Sequence, residues 1–331
     1  MRDDLIVVFG GSGFLGKHVV RALAKREKRV RIAMRRPHLG LDLKVVAPVG
    51  QVQLMQANVR YPVSIAAALE GADGVVNLVG ALNEQGPQSF QALHVDAARA
   101  IAEAAAAKGI KRMVHVSALG AAAPKGWSGN SRYAKSKWEG EEAVREALPE
   151  AVIVRPSLMF GPDDSFLNRI AAMARHATWA PLWVLPLVGG KTKFQPVFAG
   201  DVARAVAAAL DEPRARGRTF DLGGPQILTM REILNYVRAE TSRKPPLLPL
   251  SFLIAQPAGL IAEWTFKLIP FADAPITGDQ VTLLKRDNVV DPGASTFADL
   301  GVTGLESIEA IAPSYLWRYR PYGQFQTNQT A

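Results

Sequence analysis

Cysteine is absent from all 331 residues. Its absence excludes disulfides, thiolate nucleophiles and cysteine-held metal or iron–sulfur centres, and it fits a reducing compartment. Histidine is scarce: His18, His38, His94, His115 and His176 show no ligand spacing, so no metal is expected. Aromatic residues make up 8% of the chain and do not interleave with a basic stripe, which argues against nucleic-acid binding. Internal repeats and low-complexity tracts are lacking. No leader peptide is expected, because Arg2, Asp3 and Asp4 pass straight into an apolar run. One uncharged stretch, Pro245–Ala262, approaches transmembrane length, but Pro245, Pro246, Pro249 and Pro257 argue against a spanning helix. It reads either as a core helix or as an interfacial surface, since Trp264 and Lys267 beyond it suit a membrane boundary.

What is present is enough for a large core. Hydrophobic residues make up 48% and charged residues 21%, so one large or two unequal domains are expected. The net charge of +9 suits anionic lipid, an acidic partner or a phosphorylated cofactor; it also suits a plain solvated basic surface.

The organising stretch is Leu5–Gly16, LIVVFGGSGFLG. An apolar run of strand length meets Gly10, Gly13 and Gly16, and the helix-periodic residues Phe14, Leu15, Val19, Val20 and Leu23 follow. Strand, glycine turn and helix in that order form a phosphate cradle. Gly10 turns the chain, Gly13 admits a pyrophosphate, and Gly16 lets the helix close on the sheet. Up to about residue 160, apolar strands alternate with amphipathic helices. Strands are expected at 30–35, 52–58, 74–79, 113–117 and 152–156, and helices at 14–26, 63–70, 89–108 and 131–148. That alternation implies an α/β fold with a doubly wound parallel sheet (Rossmann) in residues 1–160. A smaller C-terminal lobe takes 161–331, with elements free to interleave.

Each strand end offers a candidate ligand contact. The second strand ends in Met34, Arg35 and Arg36, with no acid to hold the ribose hydroxyls of NAD. Guanidinium groups there would clamp a 2′-phosphate, so NADP(H) is preferred, with NAD(H) as the second option. The third strand ends at Asn58 and Val59; Asn58 suits either an adenine edge or an ordinary turn. The fourth ends at Val79 and Gly80, with Asn77 as a crevice group or a core amide. Past the fifth strand, Ser117 and Ala118 precede an Ala/Pro/Gly-rich loop over 121–129. The next helix opens with Tyr133 and Lys137 on one face, where an ammonium would lower the phenol's pKa.

With Gly10-x-x-Gly13-x-x-Gly16, Tyr133-x-x-x-Lys137 and Arg155-Pro156-Ser157 in place, the chain resembles the short-chain dehydrogenase/reductase superfamily, in its extended or atypical branch. That resemblance implies Tyr133 as catalytic acid/base, Lys137 as the group orienting the nicotinamide ribose, and a Ser or Thr that polarises a carbonyl. The family register puts Ala118 at the third position, and Ser117 beside it holds the remaining hydroxyl, vestigial if it acts at all. The cofactor-contact set becomes Gly10, Gly13, Phe14, Leu15, Gly16, Arg35, Arg36, Asn58, Val59, Val79, Gly80, Ser117, Tyr133, Lys137 and Pro156.

Beyond Gly161, residues 181–197 suit a substrate-side loop or hairpin. Asp201 reads as the cap of a helix through Leu210, 218–222 as a short strand, and Thr229 with Glu232 as a capping box. The tail cluster Tyr315, Trp317, Arg318, Tyr319 and Arg320 reads as an interface anchor or as a helix docked on its own lobe. Together with residues 277–290 (TGDQVTLLKRDNVV), it resembles the nucleotide-binding accessory subunits of respiratory complex I and their bacterial relatives. This implies a structural or regulatory NADP(H)-holding subunit, near the junction of the peripheral arm and the membrane. It would be peripheral on the cytoplasmic face of a bacterial inner membrane, against anionic lipid, or else cytoplasmic. The alternative is a free-standing reductase, dehydrogenase or epimerase, favoured by the retained Tyr133 and Lys137.

Overall fold

The computed structural model describes residues 4–121, 131–177, 184–267 and 277–325, the side chains of 177 and 262–267 excepted. The glycine-rich part of the 121–129 loop, Trp264 and Lys267 lie outside that description.

Six strands of the first half are β1 (Leu5–Phe9), β2 (Arg29–Met34), β3 (Val52–Gln56), β4 (Gly74–Asn77), β5 (Met113–Val116) and β6 (Val152–Pro156). With β11 (Thr219–Leu222) they form one parallel sheet in the order β11-β6-β5-β4-β1-β2-β3. The doubly wound reading therefore holds. All of β1, β4 and β5 is buried, as parallel strands covered on both faces require. The order reverses between β1 and β4, so the ligand crevice opens at their carboxyl ends.

One face carries α1 (Phe14–Ala24) and α6 (Ala199–Asp211), where Val19 and Leu23 share a core with Val202, Val206 and Leu210. The other carries α2 (Pro62–Ala68), α3 (Ala97–Ala107) and α4 (Arg132–Ala147), joined through Ile65, Ile101 and Val144. The long helix expected at 89–108 is present over 90–107, opening with a widened π-type turn, Gln91–Asp96, that runs straight into α3. Strands β2, β3 and β4 stop one or two residues early, so the residues after them turn into the crevice.

The second lobe is built from short pairings. Strand β7 (Met159–Phe160) pairs with β10 (Val197–Phe198), and β9 (Lys193–Phe194) with β12 (Leu228–Thr229). Strand β8 (Leu185–Val188) pairs in parallel with β13 (Leu247–Leu250). The described part of 181–197 is thus no hairpin, because its two strands find partners elsewhere. Helices α5 (Leu167–Ala177), α7 (Met230–Glu240), α10 (Ile308–Ile311) and α11 (Pro313–Leu316) share one core. Thr229 and Glu232 form the expected capping box on α7. Asp201 does not cap α6. It is buried inside the first turn, where it accepts from the Glu306 N–H and from Arg204.

The tail cluster docks on its own lobe. The Tyr315 hydroxyl, buried, donates to Asp164 at 2.7 Å. Arg318 donates to Asn168 and the Pro162 carbonyl, and Arg320 pairs with Glu240. Helix α8 (Phe252–Lys267) divides the two readings of the uncharged stretch. Ala255, Gly259 and the half-exposed Leu260 face α9 (Gly278–Leu283), while Leu253 (87% exposed), Ile254 and Ile261 face outward. Among the described residues no helix is long and apolar enough to cross a membrane.

Candidate functional site

The glycine loop is shaped by close backbone approach. Gly10 adopts φ +79°, and a β-carbon there would meet the Leu78 backbone at 3.0 Å. A β-carbon at Gly16 would stand 2.3 Å from the Gly10 carbonyl oxygen, so only glycine lets α1 start there. Gly13 is different. Its β-carbon would meet nothing of the protein except the Gly10 oxygen at 3.3 Å. The space is open, and the first turn of α1 carries no acidic residue and no side-chain cap. Its unpaired N–H groups therefore offer an anion site. Phe14 and Leu15 contribute backbone there, while their side chains serve elsewhere. Phe14 packs on Gly161 and His18, and Leu15 is buried in the core.

At the far end of the crevice, Arg35 and Arg36 are exposed, and their side chains make no hydrogen bond or ion pair with any described residue. Met34 lies beside Gln56 in the sheet, so the residues after β2 and β3 emerge side by side. Asn58 closes a turn: its Oδ1 accepts the Arg60 N–H at 3.1 Å, and its own N–H donates to Ser64. Val59 is half-buried next to it. Arg60, exposed over the Tyr61 ring, is a third cation at this end that motif reading missed. Its only signal was a position a few residues past a strand end.

At the near end the groups interlock. Asn77 is a core amide: its Oδ1 accepts the Val79 N–H, and its Nδ2 donates to His115 Nδ1 at 3.0 Å. That bond puts the His115 proton on Nε2, which is buried without an acceptor among the described residues. The Ala81 N–H donates to His94 Nε2 at 3.0 Å, so His94 Nδ1 carries its proton and donates to Ser136 Oγ. Ser136 in turn donates to the Tyr133 carbonyl. The His94 ring stacks on Phe90 and meets Tyr133 edge-on at 5.5 Å. Burial, followed by the nearby Lys137 charge, pushes His94 down to about 2 and His115 down to about 3, so both are neutral. Neither histidine was singled out for this role from sequence.

Lys137 is buried, donates to the Val116 carbonyl at 3.3 Å, and has its Nζ 3.1 Å from where a Gly80 side chain would begin. Burial lowers it to about 8, against the raising influence of Glu141. The expected lowering of the Tyr133 phenol by Lys137 is absent. Burial first, then the Asp279 carboxylate, push it up to about 12. Ser117 Oγ is buried and has no partner among the described residues, while Ala118 beside it is half-exposed. Pro156 is buried at the end of β6, and its carbonyl accepts the Leu119 N–H and so holds the loop after β5. An open glycine cradle, an orphaned hydroxyl at Ser117 and a buried ammonium at Gly80 fit a dinucleotide laid from Arg35 to Lys137.

Fold and site together define a nicotinamide-dinucleotide-binding protein of the extended short-chain dehydrogenase/reductase type. The chain belongs to the NAD dependent epimerase/dehydratase family, whose pattern matches residues 6–223. It is 35% identical over 326 residues to the NADH dehydrogenase (ubiquinone) 1 alpha subcomplex subunit 9, mitochondrial, of Arabidopsis thaliana. That match covers 96% of this chain and 78% of the relative. The Mus musculus protein of the same name is 32% identical over 317 residues, covering 94% and 81%. Among solved structures, the Thermus thermophilus UDP-glucose 4-epimerase complex with NAD matches with a TM-score of 0.64. It covers 96% of this chain and 99% of that one at 18% identity, a likeness of fold alone.

Proposed function

We propose that this chain is an NADP(H)-holding accessory or assembly subunit of NADH:ubiquinone oxidoreductase, structural and not catalytic. The observation that carries the reading is a complete nucleotide cradle joined to an incomplete reaction site. Glycines 10, 13 and 16, Arg35 and Arg36, and Lys137 beside Gly80 are the residues this reading assigns to the nucleotide. The position for a carbonyl-polarising hydroxyl holds the methyl of Ala118, which cannot donate a hydrogen bond. The similarity to the two mitochondrial subunits over nearly the whole chain supports the same reading. Unpaired guanidinium groups at the adenosine end favour the phosphorylated cofactor over NAD(H).

In this reading residues 1–160 hold most of the nucleotide contacts and residues 161–331 the docking surface. The outward face of α8, with Leu253, Ile254 and Ile261, rests on an anionic bilayer beside the other subunits. The protein then sits peripherally on the cytoplasmic face of a bacterial inner membrane.

Affinity purification from membranes tests this. Respiratory subunits should co-purify, and NADPH should stay bound. A wholly soluble monomer that captures no respiratory chain refutes it. The second reading, a free-standing reductase, rests on the retained Tyr133 and Lys137; it predicts that Tyr133→Phe abolishes a measurable NAD(P)H-dependent turnover while leaving nucleotide bound.

A further inference from the structure

The turn that leaves β7, residues 161–168, is tied by its own polar groups. Asp164, buried, accepts the Phe166 and Asn168 N–H groups on Oδ1 at 2.9 and 3.1 Å, and the Gly161 N–H on Oδ2 at 3.2 Å. Asn168 Nδ2 donates to the Pro162 and Asp164 carbonyls. The turn faces two ways. On one side a β-carbon at Gly161 would stand 3.2 Å from the Phe14 ring, and Asp163 pairs with Lys17 at 3.0 Å. Phe14 and Lys17 belong to the first turn of α1, whose N–H groups offer the anion site. On the other side stands the tail. The Tyr315 hydroxyl donates to Asp164 Oδ2 at 2.7 Å, and Arg318 Nη2 donates to the Pro162 carbonyl at 2.9 Å and to Asn168 Oδ1 at 2.6 Å. The C-terminal tail and the glycine cradle therefore grip the same turn.

We propose that Tyr315 and Arg318 are positioning residues for the nucleotide: by fixing the 161–168 turn they hold the first turn of α1 in the geometry that receives a pyrophosphate. That turn of α1 needs outside support. Gly13 supplies no side-chain cap, and open space lies beside it. The Lys17–Asp163 pair is exposed at both ends and contributes little alone. The contact of Phe14 with Gly161 is made to backbone, so it holds only as firmly as that backbone is held. The tail supplies the fastening. Tyr315 meets a buried carboxylate in a charge-assisted bond, and one guanidinium nitrogen ties Pro162 to Asn168. A cradle ordered beforehand binds its ligand without the cost of ordering it. The inference rests on the nucleotide reading above and extends it, giving the second lobe a part in cofactor affinity. By linkage, bound nucleotide should stabilise the docked tail in return.

Arg318 is exposed, so Arg318→Ala should fold. NADPH and NADH affinity should both fall, by on the order of tenfold, because both carry the pyrophosphate. Amide exchange is read residue by residue in nucleotide-free protein. It should rise at Gly161, Phe166 and Asn168, and also at Gly13 and Lys17, whose N–H groups donate to the Gly10 and Gly13 carbonyls. Helix α2, across the sheet, should keep its rates. Arg318→Lys should restore both readouts, since the two bonds leave from one nitrogen that an ammonium can replace. Tyr315→Phe, which removes only the hydroxyl, should act in the same direction as Arg318→Ala. NADPH added to the unsubstituted protein should slow exchange at Leu316 and Arg320, whose N–H groups donate within the tail. Unchanged affinity for both nucleotides in folded Arg318→Ala and Tyr315→Phe overturns the proposal and leaves the tail a support of its own lobe. An unsubstituted protein that binds neither nucleotide overturns the nucleotide reading, and the proposal with it; titration of the unsubstituted protein tells the two failures apart.

Discussion

Gly140 and His94 meet backbone to backbone: a β-carbon at Gly140 would stand 2.1 Å from the His94 carbonyl oxygen. This contact seats α4 on the widened turn and brings Ser136 within 2.8 Å of His94 Nδ1. Gly140→Ala should push α4 away and break that bond. The loss expected from such overpacking is about 1–3 kcal/mol of stability. Urea denaturation measures it, and an unchanged midpoint would contradict the contact.

Arg35→Ala combined with Arg36→Ala should weaken NADPH much more than NADH. Two charge-assisted hydrogen bonds to a 2′-phosphate set the scale at about 2–4 kcal/mol. Both side chains are exposed and have no partner among the described residues, so the fold should be unaffected. Calorimetric titration with each nucleotide checks it; equal losses would remove the basis for NADP(H) preference.

Gly13→Val should abolish nucleotide binding with little loss of stability. The added β-carbon would meet only the Gly10 oxygen in the protein, and the branched side chain would enter the space left for a pyrophosphate. The comparison is between melting temperature and retained nucleotide in the purified variant. Nucleotide that survives would place the binding site elsewhere.

Lys137 predicts a pH signature. Its folded pKa, about 8, lies below the ordinary 10.5 because burial disfavours the ammonium. Between those values the unfolded chain holds a proton that the folded protein has released. This group's contribution to stability therefore rises with pH across that window. Below pH 8 the buried charge destabilises the fold, by a few kcal/mol at the scale of about 1.4 kcal/mol per pH unit. Lys137→Met should be more stable than the parent at neutral pH, should lose that rise, and should bind nucleotide weakly. Denaturation at neutral and alkaline pH distinguishes this; a parallel pH profile in the variant would rule it out.

The parts legible in sequence were those defined by local spacing. Gly10, Gly13 and Gly16 sit at a strand-to-helix turn whatever the rest of the chain does, and Tyr133 and Lys137 share a face because a helix repeats about every 3.6 residues. The illegible parts depend on residues distant in the chain. Burial, and after it Asp279 from a helix 146 positions away, push up the Tyr133 phenol that Lys137 was expected to lower. Tyr315 reads equally as an interface anchor or as part of a tail docked on its own lobe until Asp164 is seen to take its hydroxyl. Asp201 sits where caps are common, but the Glu306 N–H draws it inward. Spacing carries no information about such partners, because each pairing is decided by tertiary packing.

The sheet also imposes an order on biosynthesis. Val19, Val20 and Leu23 of α1 are covered by Val202, Val206 and Leu210, and β6 gains its outer neighbour only from Thr219–Leu222. A nascent chain emerging up to β6 therefore carries a bare apolar helix face and an unpaired strand edge. Translation at about 5–20 residues per second leaves both uncovered for several seconds before β11 arrives. Over that interval the emerging polypeptide is a substrate for chaperones and a risk for edge-to-edge aggregation. The family match ends at residue 223, one residue past the strand that closes this window.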